Sequence, residues 1–343
     1  MLLMILFLFH QWGVTGNFQP ADQLVFTYET DRGVDARIYL AYQADELPAF
    51  YYCALKTPIC LENLCNPVEI RLEWDLLGNF RDYRETPGKE LTKFDHEPFE
   101  PKDYEQLKTI LADKESFLQD YQMEDLVDTT VKVYSAEIDG LTAATSATFT
   151  DKLIPGAIYT CYTLWHLVNG EISDRILANT KSVMDRKLKR NMLLSGIVAY
   201  EDFILDGMPE AEKEFFLPDL MQLIPGKNRF IAIKSIRKLP DAAHLGKYAP
   251  ELIDHYDKVK LPVQQAILQY FLKEKCSAEL LKAWIPRAAN VPGSLKLSLY
   301  QLFEKNFSVL DEPAIRQLRE VLEQKQGSPD GHDKKMIALL SNR

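Results

Sequence analysis

The chain of 343 residues is short of the features that name a chemistry outright. It has no Walker motif, no G-x-S-x-G and no H-E-x-x-H, so kinases and hydrolases of those types lack the residues they need. It is also short of positive charge where it starts, with no Lys or Arg before Arg32. Residues 1–180 hold 14 Lys+Arg against 29 Asp+Glu, while residues 181–343 hold 26 against 21. An acidic first half repels phosphate backbones, and the mild basic excess behind it is interleaved with acids, so no nucleic acid is expected as a partner. Cysteine is sparse, with five in all. A metal site needs more clustered ligands than these supply; only His96 stands as a candidate, distant in sequence, and no metal is expected. The loop Asp95-His96-Glu97 points adjacent side chains in different directions, so His96 is read as stabilising the loop.

Apolar content of 46% and charged content of 26% describe a folded chain, and the length suits two domains. The charge asymmetry places a boundary near residue 180. Met1 to Phe9 is wholly apolar and is followed by Trp12-Gly13-Val14-Thr15-Gly16. Nine residues are too few to span a bilayer, which takes about 20. The run fits the apolar core of a signal peptide, although no cation precedes it. The expected organisation is a signal peptide or apolar segment over 1–18, an α+β domain over 19–180 and an all-α repeat domain over 181–343. Export to the periplasm or another extracytoplasmic space follows from that reading. No cysteine closely follows the apolar run, so a lipoprotein anchor is not expected. In an exported chain Cys60 and Cys65 can close a small disulfide loop, with Cys53 as a competitor. Cys276 reads as a buried apolar residue in a helix.

From 22 to 85 the pattern is that of strands. Leu24–Tyr28 and Ala36–Tyr42 flank the turn Asp31-Arg32-Gly33, and Pro67–Trp74 alternates before a glycine-containing loop and Phe80–Arg84. Helices are expected over Pro101–Leu111, Glu115–Gln122 and Lys152–Asn169, the last with Pro155 in its first turn and Gly170 just past its end. A strand is expected at Val131–Tyr134. Beyond 181 no strand pattern persists. Ile231–Leu239 recurs in character as Val263–Leu272 and Ser294–Phe303, at offsets of about 31–32 residues, with Pro218, Pro250 and Pro286 near the starts of intervening helices. This period marks a solenoid of helix pairs and resembles HEAT-like repeats. The expected fold is thus a small antiparallel sheet with helices, followed by an all-α solenoid-like domain.

Residues 139–150, Asp-Gly-Leu-Thr-Ala-Ala-Thr-Ser-Ala-Thr-Phe-Thr, put hydroxyls and small side chains directly before a helix. Unpartnered N–H groups and the positive dipole end favour an anion there, and the alanines let a bulky ligand approach. A plain helix cap at Thr148 or Thr150 explains the hydroxyls equally well. Asp139, Thr142, Ala144 and Thr145 fall on D-x-x-[ST]-G-A-T, with Ala143 in place of the glycine. In this motif and in the surrounding order of strands and helices, residues 20–170 resemble the FMN-binding domain of the sodium-pumping NADH:quinone oxidoreductase and its Rnf relatives. The resemblance implies FMN joined through its phosphate to Thr145, a flavin transferase that recognises Asp139, and placement in or near a membrane-associated complex. Tyr162 and His166, four apart on the following helix, face the same way, so the ring of one and the imidazole of the other can meet a flavin. They can equally be ordinary packing residues.

Two functions are carried forward. One is an exported flavoprotein in extracytoplasmic electron transfer, whose helical-repeat tail docks a redox or scaffold protein. The other is a non-catalytic exported binding protein whose FMN-binding-like domain has lost its cofactor. A thiol-based role for Cys60 and Cys65 is a third possibility.

Overall fold

In the computed structural model, which describes residues 22–59, 66–93, 96–122, 153–241, 248–273, 275–324 and 329–341, period-two alternation becomes a five-stranded sheet. Its strands are β1 (Gln23–Glu29), β2 (Asp35–Tyr42), β3 (Pro48–Thr57), β4 (Val68–Trp74) and β5 (Phe80–Glu85). They pair antiparallel in sequence order, a meander that short turns can make. The β1–β2 turn places Gly33 at φ +68° and the β4–β5 turn places Gly78 at φ +76°, a region that glycine enters without a Cβ penalty.

Alternation sorts the two faces. Ile38, Leu40, Tyr51, Cys53, Ile70, Leu72, Trp74 and Tyr83 are buried on one side. Three helices cover it: α1 (Pro101–Ala112), α2 (Ile158–Asn169) and α3 (Glu171–Val183). Polar tips of the large buried side chains are satisfied by those helices. Trp74 Nε1–H donates to Val168 O at 2.8 Å, Tyr83 Oη to Tyr104 O at 3.1 Å, and Tyr51 Oη to Asn179 Oδ1 at 2.8 Å. The opposite face carries Tyr52 against Arg71, whose guanidinium stands 3.8 Å from the ring centroid. It also holds Glu73, only 2% exposed, paired with Arg71 at 3.0 Å and with Arg81 at 3.4 Å.

Four local expectations are corrected. Glu115–Gln122 is not an α-helix: only Phe117–Asp120 turns, as one 3-10 segment. Leu118 O in this segment is met by His166 Nε2, and Tyr121 O just past it accepts from Tyr162 Oη, both from α2. The helix expected from Lys152 begins at Ile158, because Pro155-Gly156 forms a turn with Gly156 at φ +75°. Gly170 is not left-handed, with φ −85°; a Cβ there would meet His166 O at 2.5 Å, so it serves the tight α2–α3 junction. Cys276 is buried but lies beyond the end of its helix, where its N–H donates to Asn306 Oδ1 at 3.1 Å. The expected strand at 131–134, the segment 1–18, Cys60 and Cys65 lie outside the described residues. Cys53 is a free thiol on the buried sheet face, pushed up to about 12 by burial.

The chain divides into two compact units, one ending at Met184 and the other starting at Asp185. The second is all-helical: α4 (Arg186–Leu193), α5 (Val198–Gly207), α6 (Leu217–Leu223), α7 (Arg229–Lys238), α8 (Tyr248–Tyr256), α9 (Leu261–Lys273), α10 (Ala278–Trp284), α11 (Gly293–Asn306), α12 (Glu312–Glu323) and α13 (Gly331–Ser341). The second member of each pair packs on the next, from α5 through α7, α9 and α11 to α13. Their starts are 31, 32, 32 and 38 residues apart, so the sequence period is the spacing of a helical-repeat stack. Polar side chains bridge successive repeats: Arg190 to Asp219 at 2.9 Å, Tyr270 Oη to Pro240 O at 2.6 Å, and Lys282 to Asp311 at 2.7 Å. Phe216, Phe271, Trp284 and Phe303 fill the interior. Among the described residues no helix is long and apolar enough to cross a membrane.

Candidate functional site

Helix α2 is apolar on the side that faces the sheet, where Ile158, Cys161, Leu164, Trp165 and Val168 are buried. Along the helix runs a row of polar-tipped side chains at i, i+3, i+4 and i+7. Tyr162 Oη donates to Tyr121 O at 3.1 Å, and Trp165 Nε1–H donates to Asp113 O at 2.8 Å. His166 Nε2 lies 3.1 Å from Leu118 O, and Asn169 Nδ2 donates to Leu111 O at 3.0 Å. These four side chains satisfy carbonyls that the end of α1 and the stretch beyond it leave without helical partners. A carbonyl can only accept, so the neutral His166 ring carries its hydrogen on Nε2 and leaves Nδ1 as an acceptor. Burial holds the imidazole below its ordinary value, which favours that neutral form.

Tyr162 and His166 of this row line a cavity of about 440 Å³. Tyr162, Thr163 and His166 come from α2, and Tyr28, Thr30, Asp31 and Arg32 from the end of β1 and the turn after it. Thr57, at the end of β3, and Gln122 complete the polar lining. The turn is held rigidly: Thr30 Oγ1 accepts from Val34 N–H at 3.1 Å and Thr30 N–H donates to Val34 O at 2.9 Å. The rings of Tyr162 and His166 lie 4.2 Å apart, with Trp165 edge-on to His166 at 4.9 Å. Thr163 is only 8% exposed, and its Oγ1 has no hydrogen-bond partner among the described residues. A buried hydroxyl left unpaired costs about 1–3 kcal/mol.

The lining is that of a small polar site. A guanidinium and a carboxylate stand beside hydroxyls, an amide and two phenol rings, and the volume falls in the usual range for small-molecule pockets, about 300–1,000 Å³. Cys161, the thiol of α2, is buried and pushed up to about 12, so it is not a thiolate. Among the described residues no three His, Cys, Asp or Glu side chains gather as a metal site.

Of the residues singled out by sequence, Tyr162 and His166 meet on α2 and both line the cavity. Asp139, Thr142, Ala144 and Thr145 lie outside the described residues, as does Asp95. His96 is exposed and left-handed, with φ 62°, at the tip of a loop closed by Lys93 N–H to Glu97 O at 2.7 Å. Sequence reading missed Tyr28, Arg32, Thr57 and Thr163. Arg32 was visible as the first cation of the chain, but it was read as part of a turn; nothing in the sequence links Thr57 to Thr163.

The class that fold and site define is an α+β unit with a polar cavity, followed by an all-helical repeat unit. Compared with known families, curated proteins and solved structures, the chain matches no family model, no curated protein and no solved structure.

Proposed function

We propose that the N-terminal unit is an FMN carrier acting outside the cytoplasm, and that the helical unit docks the redox or scaffold partner it serves. The observation that carries this reading is that Tyr162 and His166 line a cavity together with Arg32 and the unpaired hydroxyl of Thr163. The residues present fit a flavin: the volume admits a ring system, and the lining includes the aromatic rings of Tyr28 and Tyr162 and the guanidinium of Arg32. The resemblance over residues 139–145 assigns the covalent bond to Thr145 and its recognition by a flavin transferase to Asp139. Bound FMN supplies uptake and release of one or two electrons. The chain's own residues orient and shield: the bonds from Tyr162 and His166 to backbone carbonyls fix the wall.

A second reading is a scaffold without a cofactor. It draws on the same two bonds, because Tyr162 Oη and His166 Nε2 are already engaged by Tyr121 O and Leu118 O. Visible absorbance of the full chain co-expressed with a periplasmic flavin transferase separates the two. A flavin spectrum that disappears in Thr145→Ala supports the carrier; a colourless protein supports the scaffold.

A further inference from the structure

The groove between α7 and α9 belongs to neither the cavity nor the repeat core. It has a volume of about 550 Å³. On α7 the groove is lined by Ile233 and Arg237, with exposed Phe230 one turn before them and outside the lining; on α9 the lining stripe is Pro262, Ala266, Gln269 and Lys273. Each stripe begins apolar at the start of its helix and ends in a cation in the last turn. The macrodipole favours a cation at each of those C-terminal ends. It gives no reason for the apolar start, where Phe230 stands 68% exposed. Between the stripes Tyr270 is clamped by its hydroxyl to Pro240 O, which keeps the floor rigid.

Charge decides what fits. Lys213 at the rim is paired with Glu210 at 2.7 Å, whereas Arg237 and Lys273 make no ion pair among the described residues. Asp241 is the carboxylate of the lining, so with Arg237 and Lys273 the groove keeps one net positive charge. Two exposed cations beyond an apolar floor match a chain segment with an apolar side chain at one end and carboxylates at the other. Helix α9 has 13 residues, about 20 Å in length, which an extended segment of about six residues spans.

We infer that the α7–α9 groove binds an acidic peptide segment of a partner protein, anchored by an apolar side chain between Ile233 and Ala266 and held by Arg237 and Lys273. This deepens the docking half of the proposed function and rests on the helical unit being the docking unit; it does not require the flavin, so a colourless protein tests it equally well.

The test is fluorescence polarisation of the full chain with two fluorescein-labelled peptides. One is Phe-Leu-Gly-Glu-Asp-Glu; the other replaces its three acids with lysine. Binding of the acidic peptide alone is expected. It should weaken at least tenfold in Arg237→Glu/Lys273→Glu, and should fall steeply from 50 to 300 mM salt. Both substituted positions are exposed, and an unchanged circular dichroism melt shows that the variant folds. Ile233→Ser, read separately, is expected to weaken binding without altering the salt dependence. Equal binding of the two peptides, an unaffected double variant that is folded, or no binding of the acidic peptide overturns the inference. So does co-sedimentation of the chain with phosphatidylglycerol vesicles that is lost in the double variant while peptide binding persists, since the cations then serve a membrane.

Discussion

At Gly78 the backbone sits at φ +76°, and a Cβ would stand 2.4 Å from Ser173 O. Ser173 Oγ in turn donates to Gly78 O at 2.7 Å, tying the β4–β5 turn to α3. Gly78→Ala therefore meets a left-handed penalty and a backbone collision together, and is expected to destabilise the N-terminal unit by about 2–4 kcal/mol. Urea denaturation followed by far-UV circular dichroism measures it; Gly33→Ala, where a Cβ meets nothing within 4 Å, is the milder control. His166 supplies a pH dependence. Its folded value lies below its ordinary one, so the folded chain releases a proton that the unfolded chain holds. The stability it contributes is fully present above about pH 6.5 and is lost as pH falls below that value. The melting temperature of the N-terminal unit should thus drop between pH 7 and pH 5. That drop should shrink in His166→Gln, which keeps a donor for Leu118 O but does not titrate.

Elements were legible wherever one period ran unopposed. β4 alternates from Val68 to Trp74, and the sequence reading placed it within a residue of where it stands. The helices α7, α9 and α11 were visible as a repeat because each must bury the same stripe against its neighbours. Prediction failed where tertiary bonds overrule local propensity. In Phe117–Asp120, a single 3-10 turn, Leu118 O is met by His166, 48 residues later, and Tyr121 O just past the turn accepts from Tyr162. The cavity was half legible for the same reason. Tyr162 and His166 share a helix face, but only the folded sheet brings Tyr28, Arg32 and Thr57 to them. The last repeat shows a bond of the same kind. Lys296 on α11 reaches Asp333 at 3.0 Å and also pairs with Asp330, while Tyr300 donates to Asp333. Asp333 is buried, so Lys296→Met removes the cation that faces a buried carboxylate and is expected to cost about 3–5 kcal/mol. Amide exchange of α13 should accelerate while that of α7 stays slow. Acid should act the same way. Lys296 holds the Asp330 carboxyl below its ordinary value, so that contribution is present above about pH 4 and is lost as pH falls further.

For the whole molecule, the change of period near residue 180 and the charge asymmetry across it accompany two different constructions. The first unit closes a sheet with helices and encloses a polar cavity; the second adds one helix pair after another and exposes a graded groove. In the proposed carrier the cavity would receive FMN, held covalently at Thr145, and the groove a partner. Intact mass of the full chain after co-expression with a flavin transferase, with peptide mapping of residues 139–150, tests this most directly. A gain of one FMN minus water is expected on the peptide that contains Thr145, and no gain in Thr145→Ala. An unmodified mass for the unaltered chain would contradict it and leave the helical unit as the seat of function.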